Sequence, residues 1–160
     1  RAAGPDGSGL VGASAQGRGD MHWLRAQNLG QLIDLLVQTS QADVPAALSA
    51  GAQQTLRDRL AAYASRADAL RTDQREALAA AAEAYGEARD AFQRIRGSDD
   101  ASRARVNRLA QLMHLCRRGA SGQAIDLSTI TDEQGDFTEE VEQPIPVEPD
   151  GGIGDTPSDG

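Results

Sequence analysis

The chain has 160 residues, a formal net charge of −8 and only 3% aromatic residues. A core that must be built from leucine and alanine suits packed helices, and it argues against a β-sandwich or a large enzyme cleft. A single cysteine excludes an internal disulfide and a multi-cysteine metal site. We therefore predict a mainly α fold, either a small helical bundle or an αα-hairpin, with long extended arms at both ends.

The N-terminal segment, residues 1–19, is rich in glycine and alanine, contains Pro5 and shows no apolar periodicity. Such a composition predicts an extended arm. A GxGxxG pattern spans residues 7–12, but no strand precedes it, so it does not indicate a dinucleotide site. The RGD tripeptide at residues 18–20 is common by chance in sequences of this composition and does not indicate adhesion.

A helical body is predicted over residues 20–119. Its first helix starts after Asp20 or restarts at Asn28, where a capping-box spacing is present, and it continues to about Gln38. A connector follows at residues 41–51. The first helix is the most apolar segment of the chain, so we expect it to cover the central helices through Leu29, Leu32, Ile33, Leu36 and Val37.

Good helix formers dominate residues 52–95, and the larger apolar residues recur there at helical spacing. The seven-residue repeat slips by one residue across Gln74. The slip has two possible explanations. In the first, the chain turns near Thr72 and Asp73, and Asp73 caps a second helix, which gives an antiparallel αα-hairpin. In the second, the segment is one continuous coiled-coil helix of about 67 Å, and the slip unwinds its supercoil locally. We favour the hairpin.

The last helix is predicted from Ala101 to Arg118 and ends at Gly119. Its buried face includes the thiol of Cys116 together with neighbouring leucine and methionine residues. Its other side is basic and could contact phosphate groups or acidic partners. The arginines concerned are Arg103, Arg105, Arg108, Arg117 and Arg118.

Residues 120–160 are predicted to form an acidic extended tail. The segment contains eleven acidic residues and no basic one, a composition typical of interaction tails. A short β-hairpin is one option around residues 132–135. Isolated apolar residues along the tail are predicted to dock on partner proteins; they are Ile125, Leu127, Phe137, Val141, Ile145 and Val147.

The sequence offers no assembled catalytic, cofactor-binding or metal site, because its two histidines lie far apart and its acids concentrate in the tail. No apolar run reaches the length of a membrane span, so we expect a soluble protein without a small-molecule substrate. The predicted function is a non-enzymatic structural component of a large multi-subunit particle, with terminal arms that dock on neighbouring subunits. We expect a bacteriophage virion or a cytoplasmic assembly.

Two other functions remain open. In one, the chain is a nucleic-acid-associated helical module whose arginine-bearing helix binds phosphate and whose acidic tail is autoinhibitory. In the other, it is a chaperone-like adaptor whose apolar tail residues occupy a groove on a client protein. Deletion of the tail would strengthen nucleic acid binding in the first case only.

Overall fold

The fold is mainly α, as predicted. The computed structural model describes residues 5–95 and 99–127, and within these ranges it contains three helices and no strand. Helix α1 spans Pro5–Ser40, α2 spans Ala50–Gln93 and α3 spans Asp100–Ala120. The hairpin predicted around residues 132–135 lies outside the described residues.

The central segment is one uninterrupted helix, so the favoured αα-hairpin is wrong and the single long helix is correct. Helix α2 has 44 residues, about 66 Å at a rise of about 1.5 Å per residue. Its first turn is capped by Ser49, whose hydroxyl accepts from the backbone N–H of Ala52. No turn interrupts it at Asp73, and the adjacent Gln74 side chain donates to the backbone carbonyl of Ala26 in α1 at 3.0 Å.

The slip in the α2 repeat has a physical cause. Before Gln74, α2 packs on α1 alone, whereas its C-terminal half packs on both α1 and α3. Leu78 lies against Gly119 in α3, while Tyr85 lies against Gly19 in α1. The apolar stripe therefore shifts by one residue, about 100° around the helix, so that its C-terminal part contacts two neighbouring helices.

Helix α1 begins at Pro5, so residues 5–19 are helical and the prediction of an extended arm is wrong for them. Their glycines make room for aromatic rings from α2. Gly12 lies under the ring of Phe92 and Gly19 under the ring of Tyr85. Both pairs are seven residues apart, in opposite chain directions, which fixes α1 and α2 as antiparallel neighbours.

The other end of the α1 and α2 pair has an aliphatic core. Ile33 is buried there with Ala67 and Leu70, and Leu29, Leu36 and Val37 pack around them. Four of the five residues predicted to cover the central stripe therefore do so. Leu32, the fifth, remains 43% exposed.

Helix α3 packs on the C-terminal half of α2. Asp99 caps its N-terminus and accepts from the backbone N–H of Ser102 at 2.8 Å. The helix continues through Gly119 to Ala120, and the turn that follows uses Gly122 at a φ of 91°. A positive φ is easily reached only by glycine, so Gly122 and not Gly119 ends the helix.

The chain divides into two units, residues 1–125 and residues 126–160. The first contains all three helices. Of the second, only Asp126 and Leu127 lie among the described residues.

Candidate interaction surface

Of the six predicted docking residues, the structure describes two. Ile125 is half-buried and packs over Gly119: a Cβ built at Gly119 would lie 2.6 Å from the Ile125 Cδ1 and 2.7 Å from the Leu78 Cδ1. Ile125 thus helps to cover the end of α3 in its own chain. Leu127 is half-buried. The other four lie outside the described residues: Phe137, Val141, Ile145 and Val147.

The five predicted contact arginines do not form one cluster. Arg103 pairs with Asp100 at 2.6 Å, and Arg118 donates to the Gln123 side chain at 3.0 Å. The guanidinium of Arg105 lies over the Phe92 ring, 4.9 Å from its centroid, a cation–π contact. Arg117 is exposed in the last turn of α3, where a cation also favours the helix dipole.

Arg108, the fifth arginine, lies near a polar contact between α1 and α2. The hydroxyl of Tyr85 donates to the Asp20 carboxylate at 2.7 Å, joining α2 to α1. Burial and this carboxylate raise the pKa of Tyr85, whereas the Arg108 guanidinium from α3 lowers it. Binding of phosphate by α3 stays a prediction, but most of the arginines proposed for it already contact this chain.

Two sequence patterns are accounted for by packing. In the RGD tripeptide, Arg18 pairs with Glu87 at 2.5 Å, Gly19 lies against Tyr85, and Asp20 accepts from the Tyr85 hydroxyl. All three residues therefore contact α2.

The thiol of Cys116 is buried as predicted, and burial raises its pKa to about 12, which disfavours the reactive thiolate.

The outer face of α1 was not predicted. It consists of large apolar side chains that project away from α2, and Leu10, Met21 and Leu35 are 74%, 73% and 58% exposed. Its members are Leu10, Val11, Met21, Leu24, Leu32 and Leu35. Helical spacing places Leu10, Met21, Leu24 and Leu35 opposite the residues buried against α2, and it places Val11 and Leu32 at the edges of the outer face. The residues buried against α2 include Ala15, Trp23, Ala26 and Ile33.

Helix α1 is therefore apolar on two opposite faces. A surface helix normally has one apolar stripe, and a helix that is apolar all round is normally buried. The signal was present in the sequence as leucines and a methionine outside the stripe that Trp23, Ala26 and Ile33 define. Single exposed leucines are common on protein surfaces, but several large apolar side chains on one face of a helix mark an interaction surface.

The middle of the outer face forms a shallow groove of about 400 Å³. Its lining residues are Met21, Leu24, Arg25, Asn28, Leu29 and Leu32. Such a mixture of aliphatic side chains with few polar groups fits another apolar helix better than a charged ligand.

Among residues 5–95 and 99–127, no group of three or more His, Cys, Asp or Glu side chains could hold a metal ion. The helices of the same ranges include none with the length and apolar character of a membrane span. No protein-family model matches the sequence, and comparison with curated proteins and with solved structures found no similar chain.

Proposed function

We propose that this protein is a non-enzymatic structural component of a large multi-subunit particle, into which it packs through helix α1. The observation that supports the proposal is the outer face of α1, a row of exposed apolar side chains from Leu10 to Leu35. The row covers 25 residue steps, about 37 Å along the helix. We propose a bacteriophage virion as the particle.

Burial of this face has a favourable free energy. Fully burying a leucine or methionine side chain contributes about 1.5–3 kcal/mol, and six large apolar residues of α1 are 43–74% exposed. Even after the cost of association, a partner that covers most of them gains several kcal/mol. A component held in this way needs no catalytic group, since its role is to join subunits.

Native size fractionation of the cells that produce the protein tests this function. The full chain should sediment with large particles, far ahead of a free protein of 16.8 kDa. A variant with Leu24→Glu and Leu35→Glu should leave the particle fraction, because each glutamate would be a buried, unpaired charge at the contact.

The matched control is Leu48→Glu, at a leucine that is 40% exposed in the connector between α1 and α2. This variant should remain with the particles. The proposal fails if the natural chain is found only as a small free protein, or if the doubly substituted chain enters particles as efficiently as the control.

A further inference from the structure

We propose that the helix covering the outer face of α1 is α1 of a second copy of this chain, parallel and in register. This inference rests on the proposed function and names the immediate partner within the particle. Three observations on α1 carry it: a second seven-residue repeat, an asparagine within that repeat and an almost neutral charge.

The second repeat lies on the outer face. Leu10, Gly17, Leu24 and Gln31 are seven residues apart, and Ser14, Met21, Asn28 and Leu35 form a parallel series three to four residues away. Alternating steps of four and three residues generate the seam of a two-stranded coiled coil. All eight positions are exposed. Ser14 and Gly17 are small residues, so a second helix can approach closely there.

Asn28 is the sixth of these eight positions and is exposed. Its amide carries both donors and acceptors, so two copies of Asn28 that face each other satisfy one another. An apolar groove on an unrelated protein would leave the amide buried without a partner, which is unfavourable. A single asparagine at such a position also fixes the register of parallel pairs.

The charge of the surface agrees with self-association. Helix α1 carries two arginines and three aspartates over 36 residues, whereas α3 carries five arginines and one aspartate over 21. Two α1 helices therefore meet with little repulsion.

Nothing in the described part of the chain obstructs this pairing. The outer face lies opposite the face of α1 that packs on α2, and α3 packs on α2. A second copy can therefore approach along the whole row from Leu10 to Leu35 without displacing any helix.

Sedimentation equilibrium of the purified full chain tests the proposal. The natural chain should be a dimer. The dissociation constant of the Leu24→Glu, Leu35→Glu variant should be at least about 100-fold higher. Each of the two buried carboxylates per chain would cost more than about 1.4 kcal/mol, which corresponds to a factor of ten. The Leu48→Glu control should keep the dimer. Circular dichroism should show unchanged helix content in both variants, because all three positions are exposed.

Orientation is tested with Leu35→Cys, at one end of the row, under mild oxidation. A parallel, in-register pair brings the two introduced thiols together and should give a disulfide-linked dimer, whereas an antiparallel pair would hold them far apart, and Leu48→Cys should not crosslink. The native Cys116 does not interfere, because it is fully buried. A dimer that is not crosslinked through position 35 overturns the parallel arrangement.

The dimer and the proposed function can fail separately. If the natural chain is monomeric yet the doubly substituted variant is lost from particles, another subunit covers the outer face, and this inference is overturned while the function stands. If the chain dimerises through α1 but is never found in particles, the dimer stands and the proposed function is overturned.

Discussion

At the scale of single residues, Gly19 provides a sharp test of the contact between α1 and α2. A Cβ built there would lie 2.6 Å from the Tyr85 ring, which is fully buried and has no room to move. Gly19→Ala should therefore lower the free energy of unfolding by up to about 2 kcal/mol, since an overpacking cost of about 1–3 kcal/mol is offset by a gain in helix propensity of about 1 kcal/mol. Urea unfolding measures the change.

Gly9→Ala is the control for this substitution. It lies in the same helix, but its added Cβ would meet nothing within 4 Å. Only the helix propensity changes, so this variant should be more stable, by no more than about 1 kcal/mol. If Gly19→Ala is as stable as Gly9→Ala, the two helices do not meet at the described register.

The Tyr85 hydroxyl tests the polar contact of the same region. Tyr85→Phe removes the 2.7 Å hydrogen bond to Asp20 and should cost about 1 kcal/mol of unfolding free energy. Tyr63→Phe is the matched control, because Tyr63 is 41% exposed on the same helix, and it should change stability by less than about 0.5 kcal/mol. Equal effects of the two substitutions would contradict an inter-helix role for the Tyr85 hydroxyl.

Some of these residue contacts could be read from the sequence and others could not. Burial of Cys116 followed from its spacing to neighbouring apolar residues in one helix. Gly12 and Gly19 are seven residues apart, and so are Tyr85 and Phe92. That equality was the only sign in the sequence that these glycines lie against these rings. Glycine has low helix propensity, so the glycine-rich composition of residues 1–19 favoured an extended arm. Packing of the two rings against Gly12 and Gly19 stabilises the helix instead.

At the scale of elements, α3 and its buried face were predicted closely, while α2 was misread. Asp73 and its capping-box spacing are a local signal for a helix start, and the repeat slips nearby. Both features also fit a continuous helix that gains a second neighbour at that point. A sequence repeat reports which residues are buried but not how many helices bury them, so the choice required the position of α3.

The cap of α3 gives a prediction for pH. The backbone N–H of Ser102 donates to Asp99 and lowers the pKa of that carboxylate below its ordinary value of 3.8. A lowered folded-state pKa means that Asp99 stabilises the fold above about pH 3.8 and that this contribution is lost as the pH falls through the folded value. The thermal midpoint of the natural chain should therefore fall more between pH 6 and about pH 3 than that of Asp99→Asn.

Asparagine also caps helices but does not titrate, so the variant retains the cap at every pH. The other carboxylates titrate in both proteins, and their effect cancels in the comparison. If the two midpoints run parallel from pH 6 to about pH 3, the charge of Asp99 does not stabilise α3.

At the scale of the whole molecule, the mainly α class followed from composition, but the candidate interaction surface did not. Exposed leucines at 24 and 35 were indistinguishable from core leucines until α2 was seen to occupy the opposite side of α1. The sequence pattern instead indicated docking residues in the acidic tail. Which face of an apolar helix stays open depends on the neighbours it already has, and that is a property of the assembled fold.

The arrangement of the three helices predicts a gradient of local stability along α2. Every buried residue of α2 lies between Ala67 and Phe92, and α3 covers α2 only in that half. Amides of residues 77–92 should therefore exchange with solvent at least about tenfold more slowly than those of residues 53–63, equal to about 1.4 kcal/mol of opening free energy. Hydrogen exchange followed by NMR measures both sets in one experiment. Uniform protection would mean that the buried contacts of residues 67–92 do not set the local stability of α2.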